Sequence, residues 1–366
     1  MSRKESAGDL SRVQRRIERF VEDGEIAGAG LAISKSGEVI ADWYTGQAAD
    51  GLLAGPNVLW PLASASKLYS AAAIMAVVEQ GDLTLSTLVN TVLPEFTGNG
   101  REHVRLRHLL THTSGLIYES PEMEKRLIDQ TPIDDIIDEA YSHPLLSKPG
   151  TRFEYSDFGI ALAARMACVV TGLSFPDLVR VMVLEPASLT NTFMPPDPSD
   201  YGRIAHVVGT LGYGTDGAMY NSPYALQLAH PSFGTVASAF DVLKFGLLFA
   251  PGAKNPIVSS ATARAMTVDQ TGGTAHGNLV DFELPLPQPW GLGFELNFTA
   301  GGFGLAEIGS PATFGHGGAS GCVLMVDPIN EIGLAYVSNS HANIDMERWY
   351  FRLSAVANGV IAALTR

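Results

Sequence analysis

The chain has 366 residues, 46% of them hydrophobic and 17% charged, an ordinary globular balance with room for a large core. Its net charge of −14, without any basic cluster, argues against nucleic acid or an anionic membrane surface as partner. No apolar run is long enough to span a bilayer, and Met1 to Leu10 lacks the apolar stretch of a secretory leader, so a cytoplasmic protein is expected. Cys168 and Cys322 are the only cysteines. They read as buried free thiols with no spacing suited to a metal, and no cofactor or metal is expected.

Residues 9 to 23 read as an amphipathic helix capped by Asp9, with Leu10, Val13, Ile17, Phe20 and Val21 on one stripe. Strands over Gly28 to Ser34 and Glu38 to Tyr44 join at Lys35-Ser36-Gly37 as a hairpin. Ser64 to about Gln80 reads as a helix with Gly81 as its C-cap. The chain is then helical and loop-rich to about residue 230. It carries helices over Leu106 to Leu110, Asp157 to Thr171 (stopped by Gly172) and Phe175 to Leu184. Residues 194 to 235, rich in Pro, Gly, Tyr and Asn, are expected to form long loops over a cleft. A helix over Ala239 to Phe249 precedes strands over Trp290 to Phe298, Thr313 to Asp327 and Ile332 to Ser338, and a last helix covers Arg348 to Leu364. The pattern predicts an α/β (α+β) fold. Residues 1–75 and 231–366 would make one sheet lobe from both chain ends, with a helical lobe, 76–230, inserted between them.

Three polar clusters stand out. Ser64 and Lys67 are three apart on a predicted helix, so the ammonium can reach the hydroxyl, and serine needs such a neighbour to become a nucleophile. The plain alternative is a helix-capping serine and a surface lysine. Tyr155 and Asp157 are two apart in a short extended piece and project to one side; a phenol serves as general base where positive neighbours lower its pKa. The plain alternative is a buried tyrosine and a helix-capping aspartate. Phe314-Gly315-His316-Gly317-Gly318 falls on a predicted strand, where glycine is costly unless a backbone or ligand must come close. Backbone N–H groups beside such an edge can face a developing oxyanion. The plain alternative is a core histidine and a β-bulge. No G-x-S-x-G occurs, so a nucleophile-elbow hydrolase is not supported.

Taken together, these blocks resemble the serine β-lactamase and penicillin-binding-protein superfamily, in its class C-like branch. The resemblance rests on Ser64-Ala65-Ser66-Lys67, Leu109-Leu110-Thr111-His112-Thr113-Ser114-Gly115-Leu116, Pro149-Gly150 through Tyr155-Ser156-Asp157, and His316-Gly317-Gly318, in order along the chain. It implies Ser64 as acylated nucleophile, Lys67 and Tyr155 as its activating pair, and the backbone N–H groups of Ser64 and Ala319 as oxyanion hole. His316, Gly317 and Gly318 would border the substrate. The block around His112 is mostly structural in the family and is assigned no chemistry.

Two departures bear on function. Asp157 stands where the family usually has Asn, and His316 where β-lactamases and transpeptidases have the Lys that helps hold a substrate carboxylate. A lysine titrating near ~10.4 must drop by roughly 2–3 units to serve as base, whereas a carboxylate ~4 Å away contributes about 4 kcal/mol the other way. Lys67 is therefore expected to stay protonated, with Tyr155 as the working base. A neutral His316 anchors an anion weakly. The expected substrate is a small neutral ester, with Tyr213, Tyr220, Tyr224, Trp290 and Phe294 as apolar walls, as in the β-lactamase-like (family VIII) carboxylesterases. Alternatives are a D-stereospecific amidase or aminopeptidase with Asp157 pairing a substrate ammonium, an acyltransferase, or a catalytically silent scaffold or sensor.

Overall fold

The computed structural model of the chain describes residues 3–209, 218–272, 275–279, 282–283, 289–296 and 306–366. Helix α1, Arg3–Glu22, reaches back beyond the cap expected at Asp9. Strands β1, Gly28–Lys35, and β2, Glu38–Ala49, form the expected hairpin. Ser36 and Gly37 both take positive φ, the backbone that lets a two-residue turn follow the right-handed twist of the strands. After β2 the chain adds a short edge strand β3, Leu52–Leu53.

The C-terminal part supplies β4 (Glu295–Leu296), β5 (Phe314–Gly318), β6 (Cys322–Asp327) and β7 (Ile332–Ser338). The single strand expected over 313–327 is a hairpin. Gly321 turns it at φ +97°, where an added Cβ would lie 2.3 Å from Ser338 Oγ. Of the strand expected from Trp290 to Phe298, the described residues form only β4; Trp290 bridges back to Glu295, and residues 297–298 lie outside the described residues.

These strands make one seven-stranded antiparallel sheet in the order β4-β5-β6-β7-β1-β2-β3. The two ends of the chain meet in its middle, where Ala29 pairs with Ser338 and Ile33 with Leu334. Alternation along the strands sorts side chains to two faces. Leu31, Ile33, Val323, Met325 and Tyr336 pack with α1 and the last helix α6, Met346–Leu364. Ala32, Leu324, Val326 and Val337 face the other way, against α5 (Ala239–Leu247) and a core that continues into the helical part. That core is built on α2 (Ser66–Gln80) and α4 (Asp157–Thr171). Each ends on a left-handed glycine, Gly81 or Gly172, as the sequence predicts. The short helix α3 is Leu106–Leu110. The helix expected over Phe175 to Leu184 changes at Arg180 from α to π geometry. Among the described residues no single helix is long and apolar enough to cross a membrane.

Candidate active site

Ser64 does not lie on α2, as expected, but in a 3₁₀ turn, Ala63–Ala65, just before it. Ala63 takes φ +45°, a left-handed conformation costly for a residue with a Cβ. Its neighbours hold it there. Leu62 N–H donates to Thr235 O at 2.9 Å, Leu62 O accepts from Ala65 N–H at 3.1 Å and from the Cys322 thiol at 3.1 Å, and Ser320 Oγ donates to Pro61 O at 2.6 Å. The turn is thereby fastened to the β5–β6 hairpin. Gly318 is required at this contact, since a Cβ there would sit 2.2 Å from Leu62 O. Ser64 is half-buried while Ala63, Ala65, Ser66 and Lys67 are buried, so the hydroxyl is the exposed feature of the turn.

Lys67 Nζ lies 3.0 Å from Ser64 Oγ, 2.7 Å from Asp157 Oδ1 and 3.3 Å from Ser232 O, and it stands 4.8 Å above the Tyr155 ring. Three acceptors around a nitrogen that is out of water call for three N–H donors, the ammonium form. Burial works against that charge, but Asp157 and then Tyr155 outweigh it, and the lysine pKa ends above its ordinary value. Burial likewise raises the Asp157 carboxyl, in spite of the pull of Lys67. Asp157 is the first residue of α4, capped not by itself but by Ser156 Oγ, which accepts Gly159 N–H at 3.1 Å. With its side chain 3% exposed and turned to Lys67, it is not placed to receive a substrate ammonium, contrary to that expectation.

Tyr155 is buried, and Lys67 Nζ stands 4.8 Å from its ring centroid. Burial raises its phenol above the ordinary value despite the opposing charge of Lys67, so the resting group is a neutral phenol and not a phenolate. His316 is also buried, with Nε2 3.4 Å from Tyr155 Oη and Nδ1 2.6 Å from Gly317 O. Burial, then the charge of Lys67, lowers it to about 3. The imidazole is neutral at physiological pH.

Several side chains hold this group in ways the sequence did not signal. His112 Nδ1 accepts Ser156 N–H at 3.1 Å, and its ring lies 4.4 Å from that of Tyr155. Tyr118 stacks on Tyr155 at 6.0 Å between ring centroids, and its carbonyl accepts Asp157 N–H at 2.7 Å. Ser232, whose carbonyl faces Lys67, sits in a loop tied down by Ser70 Oγ donating to Pro231 O and by Thr235 N–H donating to Ser66 Oγ. A carbonyl contributed by a loop carries no residue-type signature, so no motif could have found it.

The expected apolar walls are distributed differently. Trp290 is 2% exposed and packs edge-on behind Tyr155 and His316 instead of lining an open cleft. Phe294 belongs to the core with Phe249 and Phe314. Tyr213 lies outside the described residues. Tyr220 and Tyr224 do fall beside the Ser64 turn, in an apolar cluster with Ala63, Met123, Val207, Phe233 and Ala319.

A sheet with terminal helices on one face and a serine–lysine pair at the junction with a helical core defines a β-lactamase-type fold. The Beta-lactamase family model matches residues 13–357, and the chain belongs to that family. Among curated proteins it is 28% identical over 181 residues to Protein flp of Staphylococcus aureus (strain NCTC 8325 / PS 47), covering 48% of this chain and 36% of that protein. The chain thus spans little more than a third of the length of such relatives. Among solved structures it is similar to EstCE1, a hydrolase with promiscuous acyltransferase activity, with a TM-score of 0.78 and 23% identity over 97% of this chain and 99% of that one. It is likewise similar to a family VIII carboxylesterase, with a TM-score of 0.72 and 22% identity over 95% and 96% of the two chains. At these identities the likeness is one of fold.

Proposed function

We propose that the protein is a serine carboxylesterase that cleaves small neutral esters through an acyl-Ser64 intermediate. The observation that supports this reading most directly is the state of the site's charges. Lys67 is spent on Asp157, and the His316 imidazole is neutral, so among the described residues of the site no free cation faces a substrate carboxylate. The apolar cluster beside Ser64 suits an acyl or alkyl group instead.

In this scheme Lys67 stays an ammonium and donates to Ser64 Oγ, orienting it and stabilising negative charge as it attacks. The backbone N–H groups of Ser64 and Ala319 receive the developing oxyanion. Tyr155, in the ionised form that the Lys67 charge favours, takes the serine proton and later delivers it to the leaving alcohol; water then repeats the sequence on the acyl-enzyme. Asp157, already committed, disfavours the amidase reading that needs it free for a substrate amine. Acyl transfer differs only in the acceptor that attacks acyl-Ser64.

The test is hydrolysis of p-nitrophenyl acetate and butyrate, with intact-protein mass spectrometry during turnover. A mass increment of one acyl group that disappears with Ser64→Ala, together with lost hydrolysis, is the expected result. Labelling of Ser64 by a fluorophosphonate with no turnover of any ester would reject the esterase in favour of a silent scaffold or sensor.

A further inference from the structure

Ser70 is a buried hydroxyl that the chemistry at Ser64 leaves unused. Ser66 and Ser70 are four apart on α2, and Lys67 and Ser70 three apart, so the three side chains share one side of the helix. A serine hydroxyl has one hydrogen to give. Ser70 Oγ lies 3.4 Å from Ser66 O, the back-bond open to any helical serine, but 2.5 Å from Pro231 O. The shorter contact takes the hydrogen. The hydroxyl thus turns away from its own helix to hold a loop 161 residues further along the chain.

That loop is braced from within. His230 Nδ1 accepts Ser232 N–H at 3.1 Å, His230 O accepts Gly234 N–H at 2.8 Å, and the His230 ring stacks on Phe233 with centroids 4.0 Å apart. A Cβ at Gly234 would lie 2.6 Å from His230 N, so the turn closes this tightly only on glycine. Outside it, Ser66 Oγ accepts Thr235 N–H at 2.9 Å and Ser232 Oγ donates to Asp157 O at 3.0 Å. Pro231 O and Ser232 O belong to adjacent peptides, so fixing the first sets the direction of the second. The second is the carbonyl that faces Lys67. An ammonium carries three hydrogens at fixed tetrahedral angles. Asp157 Oδ1 takes one at 2.7 Å and Ser232 O another at 3.3 Å, which leaves the third aimed at Ser64 Oγ, 3.0 Å away. With Ser232 O withdrawn, Asp157 alone orients Nζ, and its other hydrogens turn off Ser64 for part of the time.

We infer that Ser70 is a positioning residue for the reaction at Ser64: through Pro231 it holds the Ser232 carbonyl against Lys67 and so aims the lysine at the nucleophile. The inference rests on the acyl-serine reading above and adds a residue whose hydroxyl bonds to neither Ser64 nor Lys67.

The test removes one oxygen atom. Ser70→Ala, confirmed folded by near-UV circular dichroism, is expected to slow Ser64 acylation by p-nitrophenyl acetate about 10–10²-fold with little change in KM. Losing an acceptor favours the neutral amine, so the alkaline limb of its acylation profile should move to lower pH. Ser70→Thr, which keeps the hydroxyl, should restore most of the rate and return the limb. In the full-length protein labelled with ¹⁵N-lysine, the Lys67 ammonium signal, identified by its loss in Lys67→Met, should shift in Ser70→Ala and return in Ser70→Thr. Wild-type acylation by Ser70→Ala, or a slower rate with both the limb and the Lys67 signal unmoved, overturns the assignment. If no ester acylates the wild-type protein, the esterase reading fails, and the Lys67 signal still decides whether Ser70 positions the lysine.

Discussion

Lys67 and Asp157 lie 2.7 Å apart with both side chains essentially out of water, an ion pair at the centre of the protein instead of on its surface. Taking two charges into the interior offsets most of what their attraction returns, so the pair is weak evidence for stability. Removing one partner is another matter. Asp157→Ala is expected to cost about 3–5 kcal/mol, because it strands the Lys67 ammonium. Asp157→Asn keeps an acceptor for Nζ and should cost less, about 1–3 kcal/mol. Urea midpoints at neutral pH check both, and an unchanged midpoint for Asp157→Ala would show that the pair does not exist as described. Because Lys67 is raised above its ordinary value of 10.5, what it contributes is present below that pH and is lost only in stronger alkali.

The glycines beside His316 should separate cleanly. At Gly318 an added Cβ would meet Leu62 O at 2.2 Å and Cys322 Sγ at 2.6 Å, pushing the Ser64 turn off β5. At Gly317 the nearest atom is Trp349 Cη2 at 3.6 Å, ordinary contact. Gly318→Ala is therefore expected to lose about 1–3 kcal/mol and nearly all acylation, while Gly317→Ala folds and acylates close to wild type. Paired thermal melts and a p-nitrophenyl acetate burst read both; equal behaviour of the two variants would contradict the packing.

Charge selectivity follows from the lack of a free cation among the described residues of the site. p-Nitrophenyl hemisuccinate, which carries a carboxylate on its acyl chain, is expected to show a kcat/KM about 10²–10³-fold below that of the butyrate ester, roughly the ~3–4 kcal/mol of an unpaired buried charge. Comparable values for the two esters would mean that a cation outside the described residues serves the site.

Acid should unfold the protein through its buried imidazoles. His230 and His316 are both lowered to about 3, by burial and then by Lys67. Above pH 6.5 neither the folded nor the unfolded form of these groups binds the proton; below it only the unfolded chain does, so stability falls as pH drops from 6.5 toward 3. At pH 5 each contributes a loss of about 2 kcal/mol. Glu295, raised by burial to about 8, acts the opposite way, losing stability as pH rises from 4.5. Comparing the urea midpoints of wild type and His230→Gln at pH 7 and pH 5 isolates the histidine part. The wild type should lose more over that interval, and parallel losses would count against a neutral His230.

Much of this could be read from the residues because local rules and tertiary structure agree. Gly172 stops α4 as predicted, and Ser36-Gly37 makes the hairpin its composition suggests. What escaped reading is set by distant contacts. Nothing in Leu62-Ala63-Ser64 announces a left-handed alanine; that backbone is imposed by Thr235 and Cys322, remote in sequence. Spacing gives the side to which Asp157 points and residue type makes Trp290 a candidate wall, but neither says what lies against them. In the fold, Lys67 occupies the one position and Tyr155 with His316 the other.

The pairing of Ala29 with Ser338 has a consequence for biosynthesis. A ribosome delivers β1 about 300 residues before its neighbour β7, so the sheet has no centre until residues 332–338 have emerged. The strand bearing His316 joins in the same event, and until then the nascent chain carries Ser64 without the means to use it.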